Sequence, residues 1–279
     1  MVTSNYLDGI ISKQNRVANL KVVFLDIEKY SKRKTSMQVS LIDQFTHILN
    51  NALDQVGKEY LDYAQKNELN FKNDIILIPT GDGAAVVFPF EALPDIHLSY
   101  AKTTLLEISK VNSSNQCEGF MSDGWCNCHP NLNVRIGIAE GKGIIYKDIN
   151  GNYNVAGNVI NMASRVMGMA DRNQIIFTKE AYDQLVDLID IPDLYKQFVE
   201  YSDIEIKHGT KISVYHFIGQ LEEYLNGVVP EKLYIGQRSN LISKKMKSIN
   251  LSNEPLDEKR MLEFFEGFIG AMGGQKSIG

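Results

Sequence analysis

Three cysteines in 279 residues are too few for a disulfide framework, so nothing in the composition calls for an oxidising compartment. No apolar run approaches the roughly 18–20 residues needed to span a bilayer. The stretch from Met1 to Lys21 lacks the apolar core and small-residue cleavage site of a secretory signal. Positive charge is also short. The formal net charge of −5 has the wrong sign for a general nucleic-acid binder, although it leaves room for a small anion in a local basic pocket. There is no internal repeat and no low-complexity tract. These absences lead us to expect a cytoplasmic globular protein with neither a membrane nor a nucleic acid as partner.

The length suits one large domain or one domain with an appendage. Val22 to Leu25 is a brief apolar run, as in a strand buried on both faces. From Met37 to about Gln65 the apolar residues Leu41, Phe45, Ile48, Leu49, Leu53 and Val56 recur mostly three and four apart, which predicts an amphipathic helix. Ile75 to Ile78 and Ala84 to Phe88 read as a hairpin through Gly81-Asp82-Gly83, followed by a helix over Leu98 to Val111. Val134 to Ala139 and Lys142 to Asp148 read as two strands meeting at a glycine turn. A helix over Asn158 to Ala170, a strand over Ile175 to Phe177, a helix over Lys179 to Ile189 and a closing pair, Val199 to Ile206 and Ile212 to Ile218, complete the series. The order β-α-β-β-α-β with further strands predicts an α+β fold of ferredoxin-like, split-βαβ type. The expected organisation is a lead-in over 1–20, a main domain over 21–220, and a linker with a helical extension over 221–279. The extension carries Leu262, Phe264, Phe265, Phe268, Ile269 and Met272, a face apolar enough to need the domain or a second copy as cover.

Two carboxylates stand at strand ends: Asp26 directly after the first apolar run, and Asp82 in the hairpin turn. In a split-βαβ sheet these strands are neighbours, and paired carboxylates at one edge suit Mg2+ or Mn2+, hard cations that also take substrate phosphates. Read singly, Asp26 is equally a cap and Asp82 a turn residue. Asn161 and Arg165 are four apart and share one helix face. A guanidinium beside an amide is equipped to stabilise charge on a phosphoryl group, while a solvated polar face is the plainer reading.

Phe24 to Ser31, Gly81-Asp82-Gly83, Arg135 to Ile138 and Gly157 to Arg165, in that order, resemble the motifs of the class III adenylate/guanylate cyclase catalytic domain over roughly residues 20–219. The resemblance implies that Asp26, Asp82 and the Ile27 carbonyl hold two divalent ions. It also implies that Asn161 orients the ribose, Arg165 stabilises the transition state at the α-phosphate, and Lys207 or Lys211 holds the triphosphate. Because such sites form between subunits and all four motif residues are present, a head-to-tail homodimer with two sites is implied.

Two positions depart from the family. Where adenylate cyclases of this class carry a base-reading Lys and Asp, the chain has Ile78 and Asn154. Isoleucine neither donates to nor accepts from a base, and sites built on hydrogen bonds discriminate strongly. This pattern resembles the pyrimidine cyclases of the Pycsar anti-phage system, which make cyclic UMP or cyclic CMP to activate an effector; the resemblance favours UTP over CTP. Two other readings stay open. One is an adenylate cyclase that reads its base otherwise. The other is a catalytically silent nucleotide-binding module, although such a module should have lost one of the four motif residues. Cys117, Cys126, Cys128 and His129 share a stretch whose spacing does not suit a zinc knuckle, and reduced thiols are expected there. Asp148 to Asn152 resembles part of a calcium loop but lacks its Glu, and is expected to be a hairpin turn.

Overall fold

The computed structural model describes residues 6–13, 16–114, 131–206, 209–220 and 222–234. They belong to the first of two units, Met1–Gln237 and Arg238–Gly279. Lys207, the cysteine-containing stretch and the apolar extension over 262–272 lie outside the described residues. In chain order the elements are α1 (Tyr6–Ile11), β1 (Val17–Ile27), α2 (Thr35–Glu59), α3 (Leu61–Lys66), α4 (Phe71–Asp74), β2 (Ile76–Pro79), β3 (Gly83–Phe88), α5 (Ile96–Ser114), β4 (Val134–Lys147), β5 (Tyr153–Ala156), α6 (Asn158–Met167), β6 (Gln174–Thr178), α7 (Lys179–Leu188), β7 (Phe198–Glu205) and β8 (Lys211–Phe217).

The sheet order is β2-β3-β1-β4-β6-β8-β7, with β5 paired to β4. Its first four strands reproduce the split-βαβ arrangement, since β1 lies between the hairpin β2–β3 and β4. Side chains alternate across an extended strand, so β1 serves two cores at once. Leu20 and Val22 pack with Leu7 and Ile10 of α1 and Val159 and Ala163 of α6. Val23, Leu25 and Ile27 pack on the opposite face with Phe45 and Ile48 of α2 and Leu105 of α5. β1 runs well beyond the apolar run Val22 to Leu25, because the polar residues at its ends are paired: Asn19 Nδ2 donates to Glu140 Oε1 at 2.9 Å, and Asp26 accepts from Arg135.

The glycine turn expected between Ala139 and Lys142 is absent. β4 is one continuous strand, antiparallel to β1 from Val134 opposite Ile27 to Ile144 opposite Val17. Gly143 within it serves close packing: a Cβ there would stand 2.6 Å from Leu20 Cδ1 and 3.2 Å from Val159 Cγ1. The turn comes later, where Asp148 Oδ1 accepts from the amides of Asn150 (2.8 Å) and Asn152 (3.0 Å). That carboxylate oxygen is thus engaged by backbone, as in an Asx turn. Beyond β8, residues 222–234 of the stretch read as linker are pinned to the sheet. Gln174 Nε2 donates to Val228 O at 2.6 Å, Asn226 Nδ2 donates to Arg172 O at 2.9 Å, and Leu233 is fully buried.

Candidate active site

Register brings the two aspartates to one edge. Asp26 stands opposite Gly83 in the β1–β3 ladder, and the Ile27 amide donates to the Asp82 carbonyl at 3.0 Å. The turn is able to close here because of its glycines. Gly81 adopts φ +93°, and a Cβ at Gly83 would lie 2.2 Å from the Leu25 carbonyl. Asp26 follows Leu20, Val22 and Phe24 in the alternation and so points to the α6 face. Its carboxylate accepts from Arg135 Nε at 3.2 Å and also from Arg135 Nη2. Burial pushes the Asp26 carboxyl above its ordinary range; Arg135 opposes that push, Asp82 adds to it, and Lys232 opposes it more weakly than Arg135 does.

α6 buries Val159, Ala163 and Val166 and leaves Asn161 exposed and Arg165 half-buried. The Arg165 guanidinium donates to Met162 Sδ at 3.8 Å. It lines a cleft of about 450 Å³ at the β4 edge past the end of β6, together with Asn158, Glu140, Lys142 and Thr210. Lys211 is exposed next to Thr210 and pairs with Glu205 across the β7–β8 hairpin. The cleft walls contain neither Asp26 nor Asp82. Asp26 and Asp82 thus meet at one end of the β1–β3 pair, and Arg165 lines a cleft whose walls include neither.

Of the two positions that depart from the family pattern, Ile78 sits opposite Ala85 in the β2–β3 ladder and packs, half-buried, in the apolar cluster that includes Phe24, Ile160 and Met162. Asn154 sits opposite Tyr146 in β5, and its Oδ1 accepts from the Val155 amide at 2.7 Å. Among the described residues that is the one hydrogen bond of the Asn154 side chain, whose amide nitrogen remains able to donate.

Among the described residues no group of three or more His, Cys, Asp or Glu is gathered for a metal. The donor set at the edge nevertheless fits a hard divalent ion, which binds through one or two carboxylates and completes its shell with phosphate oxygens and water. Two residues at this edge carry no role in the sequence reading. Arg135 belongs to a quoted motif, but its bond to Asp26 spans 109 residues of chain. Lys232 lies in the presumed linker and binds the Gly168 carbonyl across 64 residues. Strand alternation could have put Arg135 on the Asp26 face; nothing local marks Lys232.

The profile of the family described as "Adenylate and Guanylate cyclase catalytic domain" matches residues 12–220. A comparison with curated proteins finds no match. Among solved structures, the adenylate/guanylate cyclase/hydrolase of Silicibacter pomeroyi superposes with a TM-score of 0.50 at 15% identity, covering 74% of this chain and 99% of that one. Guanylyl cyclase Cya2 gives 0.50 at 14% identity, covering 75% and 95%. The guanylate cyclase domain of RhGC from Catenaria anguillulae, solved with GTP, gives 0.48 at 17% identity, covering 73% and 98%. At these identities the first two speak for the fold alone.

Proposed function

The chain belongs to the adenylate and guanylate cyclase catalytic domain family, as a nucleotidyl cyclase domain, and from that premise we propose that its substrate is a pyrimidine nucleoside triphosphate, UTP ahead of CTP. The products are the 3′,5′-cyclic monophosphate and pyrophosphate. As the 3′ oxygen bonds to the α-phosphorus, the bond from that phosphorus to the pyrophosphate oxygen breaks and the proton of the 3′ hydroxyl passes to solvent water. Two Mg2+ or Mn2+ ions, when bound, activate the 3′ oxygen and neutralise the triphosphate.

In this reading Asp26, Asp82 and the Ile27 carbonyl hold the ions, and Asn161 orients the ribose. Arg165 meets the charge that develops at the α-phosphate, where a fixed guanidinium is worth most. Lys207 or Lys211, at the last hairpin, holds the triphosphate. The working site is shared head to tail between two copies, the aspartates coming from one and α6 from the other. Support comes from the cleft that Arg165 lines, whose walls include neither aspartate. The cyclic product then serves as a messenger for a separate effector, in the manner of the anti-phage systems that the sequence resembles.

The pyrimidine assignment is carried by Ile78, whose side chain lies among apolar neighbours and has no polar atom for a purine edge. The test is incubation of the purified full chain with ATP, GTP, CTP and UTP in turn, with Mn2+, and identification of the cyclic products. Cyclic UMP as the main product is expected. Product from ATP alone would overturn the base assignment, and no product from any of the four would overturn the activity.

A further inference from the structure

The family match ends at residue 220, yet the segment 222–234 returns to the same edge of the sheet that carries Asp26. Its route is set by register. Asp26 stands opposite Arg135, Arg135 stands opposite Gln174, and the Gln174 side chain holds the Val228 carbonyl. The Glu231 amide then donates to Asp171 Oδ2 at 2.8 Å. Leu233, fully buried, joins a cluster with Val166 of α6, Ala170, Ile176 and Val214. Between these two anchors Lys232 donates its ammonium to the carbonyl of Gly168, the residue that caps α6.

A helix leaves its last carbonyls without partners, and a cation there satisfies one of them while complementing the negative end of the dipole. α6 has 10 residues, and Arg165 stands in its last turn. Among the described residues the Arg165 guanidinium makes one side-chain hydrogen bond, to the flexible Met162 thioether, so its aim depends on where the helix end is held.

We propose that Lys232 is a positioning residue of the cyclase reaction: by binding the Gly168 carbonyl it fixes the last turn of α6 and so aims Arg165 at the α-phosphate. The segment 222–234 is then a working strap of the catalytic domain. This inference rests on the reading of Arg165 given above.

Two measurements on the full chain test this. In steady-state kinetics with whichever triphosphate the wild type cyclises, Lys232→Met is expected to lower kcat roughly tenfold, the scale of one hydrogen bond to a charged group, with KM within about twofold. Lys232→Arg, which keeps the charge and the donor, is expected to retain most of the rate. If Lys232 acts through Arg165, Lys232→Met costs less than about twofold in an Arg165→Lys background. An unchanged kcat in the single variant, or the full loss repeated in the Arg165→Lys background, overturns the proposal. Amide hydrogen exchange needs no substrate. Lys232→Met is expected to speed exchange over residues 158–170 at least about fivefold and leave α7 unchanged, and equal rates over 158–170 overturn the proposal. A wild-type chain that cyclises none of the four triphosphates sinks the activity, and exchange still judges the strap.

Discussion

Lys21 and Glu140 face each other between β1 and β4 at 3.3 Å, with side chains 1% and 3% exposed. Burial on this scale costs several kcal/mol per ion and is offset only by further bonds. Lys21 Nζ also donates to the Phe90 carbonyl at 3.1 Å, and Asn19 donates to Glu140. The charge of Lys21 is felt at His97, a wholly buried imidazole whose pKa burial pulls down to about 3, with Lys21 adding to the shift. Burial likewise lowers His216 to about 4. Both histidines fold neutral. Unfolded, each takes up a proton near its ordinary pKa of about 6.5, so between there and the folded values the unfolded chain binds more protons and stability falls as pH falls. Between pH 7.5 and 5.0 each histidine removes about 2 kcal/mol. Urea unfolding at the two pH values measures the loss, and His97→Leu is expected to recover about half of what the two histidines remove. An identical pH dependence in that variant would show that His97 titrates normally.

At the scale of elements, the approach of α6 to β4 decides where Arg165 stands. Gly137 is the contact point: a Cβ there would lie 2.2 Å from the Ala163 carbonyl oxygen, 2.3 Å from the Met167 amide nitrogen and 2.7 Å from Met167 Cα. All three are backbone atoms of the helix or its end, so the helix itself must move. Gly137→Ala is expected to cost about 3 kcal/mol in urea unfolding, the upper part of the overpacking range, and to lower cyclase activity with it. Gly9→Ala, in α1 with nothing within 4 Å of the added Cβ, is the control and should be neutral or slightly stabilising. Wild-type stability in Gly137→Ala would mean that helix and strand are not packed this closely. The elements differ in how legible they were. The three- and four-residue spacing of Leu41, Phe45, Ile48 and Leu49 marks α2 because a periodic face reports burial on one side. Gly141 misled, because a glycine inside a continuous strand is written with the same letter as a glycine that makes a turn.

At the scale of the whole molecule, the proposed site draws on two places in one chain. Asp26 and Asp82 share one edge, while Arg165 faces a cleft that contains neither. If two copies complete each other, Asp26→Asn and Arg165→Ala should each be inactive alone and should recover activity when mixed and allowed to exchange subunits. Random pairing leaves half the dimers mixed, each with one intact site of two, so recovery of about a quarter of the wild-type rate is expected in a cyclisation assay. No recovery, with mixed dimers shown to form, would mean that each site is built within one chain.

The periodicities, the turn residues and the motifs in order from Phe24 to Arg165 are local properties, and they sufficed for the split-βαβ order and the family. Spacing alone also put Asn161 and Arg165 on one helix face, since four residues make about one turn. Tertiary structure alone decided that Arg135 holds Asp26, that Lys21 is buried against Glu140, and that Lys232 comes back to cap α6. Those contacts join residues dozens to more than a hundred positions apart. Which of them meet is settled by strand register and by the packing of a buried leucine, neither of which leaves a period in the chain.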